Sequence, residues 1–251
     1  MEARKIIITG GATRIGAAIA KKLSGNKVEI VIHFNKSRTK AIVLKKELEK
    51  NGTKIHLVKG NLNKEEDIKK IIKSSKKYLK YFDCLINNAS MFENDKLENF
   101  SSESWNKHLN INLKAPALLT REFAKNVKGK NNNVINIIDQ RVFKLTPFFF
   151  SYTLSKTGLY TLTKTSAMSL APKIRVNGIA PGPTIKNKRQ SKIHFKKQFL
   201  ATPLKQQVNV NEISNAVDFF IKTSSITGQV ISIDSGQSLN WQTPDIMRGK
   251  E

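Results

Sequence analysis

Short apolar runs alternate with longer amphipathic stretches along almost the whole chain, and this alternation limits the possible folds more than any other feature. The apolar runs are rich in Val and Ile and are bounded by Gly, Asn or Asp, as is typical of buried parallel strands. They occupy residues 4–9, 28–33, 54–59, 83–87, 132–138, 173–179 and 229–234. The amphipathic stretches lie near residues 14–24, 37–50, 64–77, 103–127, 152–171 and 210–222. The pattern predicts an α/β fold, a doubly wound seven-stranded parallel sheet with helices on both faces.

The same pattern predicts one domain over residues 1–251, because no repeat or low-complexity linker interrupts it. The segment 183–207 is the exception, since it is basic and irregular and has no clear period. We expect a long loop or short helices there. Insertions near the carboxyl end of a strand often cover the ligand in doubly wound folds, so we assign 183–207 as a substrate-loop region.

The cysteine content and the hydropathy pattern favour a soluble cytoplasmic protein. The only cysteine, Cys84, lies in a strand-like run and is expected to be a buried core residue. A single cysteine forms no internal disulfide, which suits a reducing compartment. The first strand begins too early for an export leader, and no apolar run reaches the roughly 18 residues of a membrane helix.

The formal charge of +25 is the one unusual bulk property. It would suit nucleic acid or an anionic membrane. However, lysines occur in every third of the chain, and no zinc spacing or stacking motif accompanies them. We interpret the charge as a compositional bias that helps to attract an anionic cofactor, and expect no specific nucleic-acid or membrane partner. A non-catalytic nucleotide-sensing or nucleic-acid-binding protein is the alternative.

A glycine-rich loop joins the first strand to the first helix. It runs from Thr9 to Gly16, where Gly10 can take a tight turn and Gly16 lets the helix pack close to the sheet. The helix N-terminus then offers backbone N–H groups and a positive dipole end to a pyrophosphate. This position predicts a dinucleotide site of the Rossmann type, with an ordinary βα turn as the alternative. The loop residues expected to bind cofactor are Gly10, Thr13, Arg14, Ile15 and Gly16.

The end of the second strand indicates which dinucleotide is bound. Rossmann proteins selective for NAD usually carry an acid there, which binds the adenosine ribose. Here the chain reads His33-Phe34-Asn35-Lys36-Ser37, without a carboxylate. A cation with small hydroxyl or amide donors suits a 2′-phosphate, so NADPH is the predicted cofactor. A solvated basic loop is the alternative. The residues expected at the 2′-phosphate are His33, Asn35, Lys36 and Ser37.

Tyr152 and Lys156 are the predicted centre of the chemistry. They lie at i and i+4 near the start of a helical stretch and therefore share one face. A phenol with a pKa of about 10 is a poor acid near neutral pH. We expect the neighbouring ammonium to lower that pKa and so to favour proton delivery.

These motifs together resemble the short-chain dehydrogenase/reductase family over nearly the whole chain. The matching pieces are Thr9-Gly10, Arg14-Ile15-Gly16, Asn87-Asn88-Ala89, Asn112, Tyr152 with Lys156, and Pro181-Gly182. The resemblance implies that Tyr152 donates a proton, Lys156 holds the nicotinamide ribose and Asn112 supports a relay water. It also implies that Asn61 and Leu62 flank adenine. The residues it places along the nicotinamide carboxamide are Pro181, Gly182 and Thr184. The family is usually tetrameric, so the resemblance implies a homotetramer.

One departure from the family pattern narrows the range of expected substrates. Most members have a serine 13 positions before the tyrosine, and here Asp139 stands at that position. A carboxylate disfavours negative charge on a carbonyl oxygen and suits a substrate with N–H donors or an imine nitrogen. A lost serine in a dead or altered enzyme is the alternative.

Asp139 belongs to a set of residues that resembles the pteridine reductase branch of the family. The other members are Arg14, the turn 33–37 and Asn88-Ala89-Ser90-Met91-Phe92. By this resemblance Asn88, Ala89 and Ser90 contact the cofactor, Phe92 stacks on a pterin, and Arg14 and Ser90 touch both ligands. A buried core aromatic is the alternative for Phe92.

The predicted function is NADPH-dependent hydride transfer to a C=N bond of a pterin, dihydropterin or dihydrofolate. The predicted catalytic residues are Tyr152, Lys156, Asp139 and Asn112. The predicted substrate contacts are Arg14, Ser90, Phe92, Asp139 and Tyr152. The enzymatic alternative is a carbonyl reductase acting on a 3-oxoacyl thioester or another ketone. The extension 241–251 has no assigned role beyond a possible place in a subunit interface.

Overall fold

The computed structural model describes residues 4–187 and 189–241, and its centre is one parallel sheet. The strands are β1 Arg4–Ile8, β2 Val28–Phe34, β3 Lys54–Lys59, β4 Cys84–Asn87, β5 Asn132–Ile137, β6 Ile174–Pro181 and β7 Val230–Ile233. They lie in the order β3-β2-β1-β4-β5-β6-β7, and every pair is parallel. This confirms the predicted seven-stranded doubly wound fold, with strand bounds displaced by at most two residues.

Helices cover both faces of the sheet. They are α1 Arg14–Leu23, α2 Arg38–Glu49, α3 Glu65–Leu79, α4 Ser102–Leu109, α5 Ala115–Ala124, α6 Phe150–Leu170, α7 Lys192–Leu200 and α8 Val210–Lys222. Among the described residues, no helix is long and apolar enough to cross a membrane.

Strand β1 shows why the sheet must be covered on both sides. Its side chains Ile6 and Ile8 belong to one apolar cluster, with α1, α2 and α8, whereas Ile7 belongs to the other, with α3 and α5. All three are fully buried. Successive side chains of a strand point to opposite faces, so an uninterrupted apolar run requires two cores. Cys84 is also buried, as expected, and burial raises the pKa of its thiol to about 12.

The stretch predicted as one helix over 103–127 is divided. Between α4 and α5 the backbone widens into a π-helical turn at Asn110–Lys114. The turn contains Asn112, which is fully buried. Such π turns occur often at functional sites, and amphipathic periodicity does not reveal them.

Strands β1 and β4 meet at the point where the strand order reverses, and the Thr9 hydroxyl joins the loops that follow them. Thr9 Oγ1 accepts hydrogen bonds from the backbone N–H groups of Asn88 and Ala89, both at 3.0 Å, and donates to the Ile86 carbonyl at 3.3 Å. The side chain of Asn88 donates in turn to the Thr9 and Gly10 carbonyls. The glycine-rich loop and the Asn-Asn-Ala turn are therefore one hydrogen-bonded unit.

Replacement of Thr9 by Val should destabilise the protein by about 2 kcal/mol, because it removes the acceptor from buried N–H groups without changing the side-chain shape. The measurement is the free energy of unfolding in urea. Thr9→Ser is the control, since it keeps the hydroxyl and loses a single methyl group. A Thr9→Val protein as stable as Thr9→Ser would contradict this account of the loops.

Candidate active site

A cavity of about 980 Å³ lies at the carboxyl edge of the sheet and contains most of the predicted site residues. Those that line it are Gly10, Thr13, Arg14, Ile15, His33, Asn35, Asn61, Leu62, Asn88, Ala89, Ser90, Phe92, Asp139, Tyr152, Lys156, Pro181, Gly182 and Thr184. Those outside the lining are Gly16, Lys36, Ser37 and Asn112. The cavity is large enough for a cofactor and a substrate together.

The glycine-rich loop delivers the N-terminus of α1 to this cavity. Helix α1 begins after Thr13 without a side-chain cap and without an acidic residue in its first turn. Gly16 lies in the first turn of α1, where a Cβ would come within 2.4 Å of the Gly10 carbonyl oxygen. Gly16 therefore supports close packing and does not face the ligand. Arg14 takes the left-handed backbone conformation, with φ of 54°, at the position where the family has glycine.

Arg14 differs in one respect from its predicted role. Its guanidinium donates hydrogen bonds to the backbone carbonyls of Ile185 and Lys186, at 2.7 and 2.9 Å. In this structure the side chain therefore holds the substrate-loop region against the glycine-rich loop. The contacts of Arg14 with the cofactor and with a pterin stay a prediction.

His33 supports the loop rather than offering a positive charge. It is 2% exposed, and burial lowers its pKa to about 4. The Gly10 N–H points at its Nδ1 at 3.2 Å, so Nδ1 accepts and Nε2–H donates to the Gly60 carbonyl at 3.1 Å. Among the residues predicted to bind the 2′-phosphate, the positive charge therefore comes from Lys36, which lies with Ser37 outside the cavity lining. Asn35 lines the cavity at the end of β2.

Tyr152, Asp139 and Lys156 converge at the inner end of the cavity. The Tyr152 hydroxyl donates to Asp139 Oδ2 at 2.7 Å, and the Arg141 N–H donates to Asp139 Oδ1 at 2.9 Å. Lys156 Nζ donates to the Ile137 carbonyl at 2.8 Å. Tyr152 and Lys156 are 4% and 1% exposed, so the charges there are poorly screened.

The predicted lowering of the Tyr152 pKa is wrong for this structure. Burial, followed by the nearby Asp139 carboxylate, raises the pKa of the phenol well above its usual value. Burial also lowers the pKa of Lys156 to about 8, although Asp139 acts in the opposite direction. Tyr152 is therefore a protonated phenol, in agreement with the hydrogen bond that its hydroxyl donates to Asp139. The i and i+4 spacing was read correctly, but desolvation outweighs the effect of the ammonium.

Asn112 lies behind the cavity wall. Its Oδ1 accepts from the Met91 N–H at 2.8 Å and from Ser90 Oγ at 3.2 Å, and its Nδ2 donates to the Met91 carbonyl and to Ser155 Oγ. These four hydrogen bonds use the full capacity of the amide. The side chain thus fixes the loop after β4, and a relay water held by this residue stays a prediction.

The aromatic residue predicted to stack on a pterin has an aromatic neighbour. Phe92 stacks on Phe149, with ring centroids 4.4 Å apart and planes 4° from parallel, and meets Tyr152 edge-on at 4.6 Å. One face of Phe92 is therefore covered by Phe149. Arg141 lies over the Phe149 ring at 4.5 Å. The run Phe148-Phe149-Phe150 just before Tyr152 was the sequence signal for this second ring.

The substrate-loop region covers the cavity, as its position suggested. It contains one helix, α7, and contributes Asn187, Arg189 and His194 to the lining. Arg189 donates to the Phe92 carbonyl. The predicted extension beyond Trp241 lies outside the described residues.

The charge of the cavity is strongly biased. Among the described residues that line it, Asp139 is the single carboxylate, whereas three arginines (Arg14, Arg141 and Arg189) and Lys156 supply positive charge at neutral pH. Together with the uncapped N-terminus of α1, this lining fits a polyanionic dinucleotide. Gln140 and Gln237 also line the cavity, and their buried Oε1 atoms have no hydrogen-bond partner in the described part of the chain.

Three comparisons with known proteins agree with this architecture. The chain is 40% identical to FolM alternative dihydrofolate reductase 1 from Brucella canis, solved in complex with NADP, with 96% of each chain covered and a TM-score of 0.92. The corresponding protein from Brucella suis, also with NADP, is 39% identical, with 98% and 100% coverage and a TM-score of 0.93. The 3-oxoacyl-[acyl-carrier-protein] reductase FabG of Buchnera aphidicola is 32% identical over 93% of this chain and 97% of that protein.

A family model described as short chain dehydrogenase matches residues 4–197. The match covers the glycine-rich loop, the Asn-Asn-Ala turn, the Tyr152 and Lys156 pair and the first part of the substrate-loop region. With the fold and the solved relatives, it confirms the family expected from the motifs: the chain belongs to the short-chain dehydrogenase family.

Proposed function

We propose that this protein is an NADPH-dependent reductase that acts on a C=N bond of a pterin, dihydropterin or dihydrofolate. The observation that carries the proposal is the 2.7 Å hydrogen bond between the Tyr152 hydroxyl and Asp139 Oδ2 inside the cavity. The solved Brucella relatives support it, because they are described as alternative dihydrofolate reductases and were solved in complex with NADP.

The cofactor part of the proposal rests on the charge and shape of the cavity. The N-terminus of α1 and Arg14 would receive the phosphates, Asn35 and the basic turn after β2 would receive the adenosine side, and Lys156 would hold the nicotinamide ribose. Arg14 would exchange its carbonyl partners for an anion, which is a stronger acceptor. When bound, NADPH supplies the hydride for the reduction.

The substrate part rests on the sign of the charge that develops at the reacting atom. Reduction of a carbonyl builds negative charge on oxygen, whereas protonation of an imine nitrogen builds positive charge. A carboxylate a few ångströms away raises the free energy of the first transition state and lowers that of the second. Each effect is a few kcal/mol at the effective dielectric of a protein site. Asp139 therefore favours C=N over C=O.

The proton would come from Tyr152, which its raised pKa keeps protonated. The carbon of the C=N bond gains the hydride, and the nitrogen gains the phenolic proton, which solvent later replaces. Asp139 would orient the hydroxyl and stabilise the positive charge on nitrogen, with Lys156 as the nearby cation. The opposite face of Phe92 would stack on the heterocycle. The unpartnered Oε1 atoms of Gln140 and Gln237 would accept from ring N–H groups.

Oxidation of NADPH with dihydrobiopterin, dihydromonapterin and dihydrofolate tests the proposal directly. We expect turnover with at least one of them and a KM for NADPH at least about tenfold below that for NADH, since one charge-assisted contact to the 2′-phosphate is worth about that factor. Acetoacetyl thioester is the comparison substrate, chosen because of the similarity to FabG. Turnover of the thioester without turnover of any pterin would overturn the proposal.

Asp139→Ser should separate the two kinds of reductase. It restores the family serine, so we expect kcat/KM for a dihydropterin to fall about 100-fold and kcat/KM for a ketone to rise. Asp139→Asn is the matched control, because it keeps the side-chain size while removing the charge, and it should also lose pterin activity. Faster pterin reduction by Asp139→Ser would show that the carboxylate does not act on the substrate.

The pH dependence follows from the pKa of Lys156. The proposed reaction needs Lys156 charged and Tyr152 protonated, and Lys156 loses its proton first as the pH rises. We expect kcat/KM to decline above a pH of about 8, the pKa of Lys156. In Lys156→Arg the guanidinium stays charged, so the remaining activity should be flat from about pH 7 to 9.5. A decline near pH 8 in both proteins would assign it to another group.

A further inference from the structure

A loop from another part of the chain caps the first turn of α6. The first N–H groups of a helix have no partner within the helix. Here Phe149 N–H donates to Asn94 Oδ1 at 3.2 Å, Phe150 N–H to the Asp95 carbonyl at 3.2 Å, and Ser151 N–H to Asp95 Oδ1 at 3.1 Å. The Asp95 side chain is thereby placed near the positive end of the helix dipole, which favours its charge.

A buried network extends this cap to α4. Ser151 Oγ contacts both Asp95 Oδ2 and His108 Nδ1, the latter at 2.7 Å. The Glu93 N–H points at His108 Nε2 at 3.2 Å. Asp95 is 7% exposed, and Ser151 and His108 are fully buried. The network therefore joins the loop after β4, the helix α4 and the first turn of α6.

Ser104 Oγ also lies 3.4 Å from both Asp95 Oδ2 and His108 Nδ1, and the directions of the shorter hydrogen bonds between Glu93, His108, Ser151 and Asp95 can be assigned. A backbone N–H can only donate, so His108 Nε2 accepts from Glu93. In a neutral imidazole the proton then lies on Nδ1, which donates to Ser151 Oγ. The Ser151 hydroxyl is left to donate to Asp95 Oδ2. Burial lowers the pKa of His108, in agreement with a neutral ring.

This arrangement contains a serine, a histidine and an aspartate, but it is not built for nucleophilic catalysis. Ser151 is fully buried and donates its proton to the carboxylate, not to the imidazole. In a nucleophilic triad the imidazole accepts from the serine and the carboxylate binds the far side of the imidazole. A role in positioning fits the geometry instead.

The network joins residues that are adjacent in sequence to the proposed substrate contact, Phe92, and to the proposed proton donor, Tyr152. Phe92 immediately precedes Glu93, and Tyr152 immediately follows Ser151. The rings of Phe92 and Tyr152 meet edge-on at 4.6 Å, and the His108 ring lies 6.0 Å from that of Tyr152. A displacement of either backbone would therefore move a substrate-contacting ring relative to the proton donor.

We propose that Asp95, His108 and Ser151 are positioning residues that hold the Phe92 wall and the Tyr152 proton donor as one rigid unit. The inference rests on the proposed function only for the identity of the substrate. In this proposal the network sets the distance between the stacked substrate and the Tyr152 phenol. Its own side chains touch neither the substrate nor the cofactor.

Ser151→Ala is the main test. It removes the hydroxyl at the centre of the network and keeps the hydrogen bond from the backbone N–H of residue 151 to Asp95. We expect kcat to fall about 10- to 100-fold, as for a reacting geometry displaced by up to an ångström, and the KM of the dihydropterin to rise severalfold. The Kd of NADPH should stay within about twofold, since the network is remote from the phosphates. Asp95→Asn should show the same pattern.

Ser75→Ala is the matched control. Ser75 is also fully buried, and its hydroxyl donates within α3 to the Ile71 carbonyl, away from the cavity. This control should lose stability to a similar extent without a change in kcat or KM. If Ser151→Ala behaves like Ser75→Ala, the positioning role is overturned. The comparison uses whichever substrate the wild-type protein reduces, pterin or thioester, so failure of the pterin function would leave this test intact.

Nitrogen NMR of the His108 imidazole gives a second readout that needs no substrate. The proposal requires the neutral Nδ1–H form in the wild-type protein and a changed Nδ1 signal in Ser151→Ala. A proton on Nε2, or an Nδ1 signal that does not respond to Ser151→Ala, would overturn the assigned network.

Discussion

Parallel pairing of the strands is the constraint on which the rest of the structure depends. Because all seven strands run in one direction, their carboxyl ends meet at one edge, and residues distant in sequence come together there. Thr9 follows β1, Asn88 follows β4, and Asp139 follows β5. The hydroxyl of Thr9 locks two of these ends into one unit. The third end presents the Asp139 carboxylate, on which the proposed function depends.

Burial decides the protonation states at that edge. Tyr152 and Lys156 lie close together, but both are shielded from water, so burial raises the pKa of the phenol and lowers the pKa of the ammonium. The result is a phenol that keeps its proton beside an amine whose pKa has fallen to about 8. The raised pKa keeps the proton on Tyr152 at neutral pH, and the nearby Lys156 is the cation that would stabilise the phenolate once that proton is given up.

The sequence predicted the sheet well, and it predicted the site less completely. Long Val- and Ile-rich runs allow few alternatives, so all seven strands were located. The i and i+4 spacing of Tyr152 and Lys156 reflects local helix geometry, whereas Asp139 was predicted from the family resemblance, and the structure brings the three together. The partner of each side chain was not predictable in the same way. The engagement of Arg14 with carbonyls and the ring that covers Phe92 depend on contacts between segments far apart in sequence.

The π turn at Asn112 shows the same limit within a single helix. Apolar periodicity over 103–127 is compatible with an unbroken helix, since the extra residue per turn displaces few side chains. What selects the wider turn is the fit of the Asn112 amide to Met91, Ser90 and Ser155, a set of partners from two other segments. Local pattern thus identifies the element, and tertiary hydrogen bonding determines its irregularity.

The two sides of the cavity differ in how firmly they are held. The inner wall is fixed by buried hydrogen bonds from Asn112, Asp95 and His108, and by the stacked rings of Phe92 and Phe149. By contrast, the arginine contacts of the substrate-loop region, from Arg14 and Arg189, run between exposed guanidiniums and neutral backbone carbonyls. Carbonyls are weaker partners for a guanidinium than phosphates or carboxylates are. The proposed proton transfer needs a fixed geometry, which the inner wall has, whereas binding of an anionic cofactor needs arginines whose present partners can be exchanged, which the substrate-loop region provides.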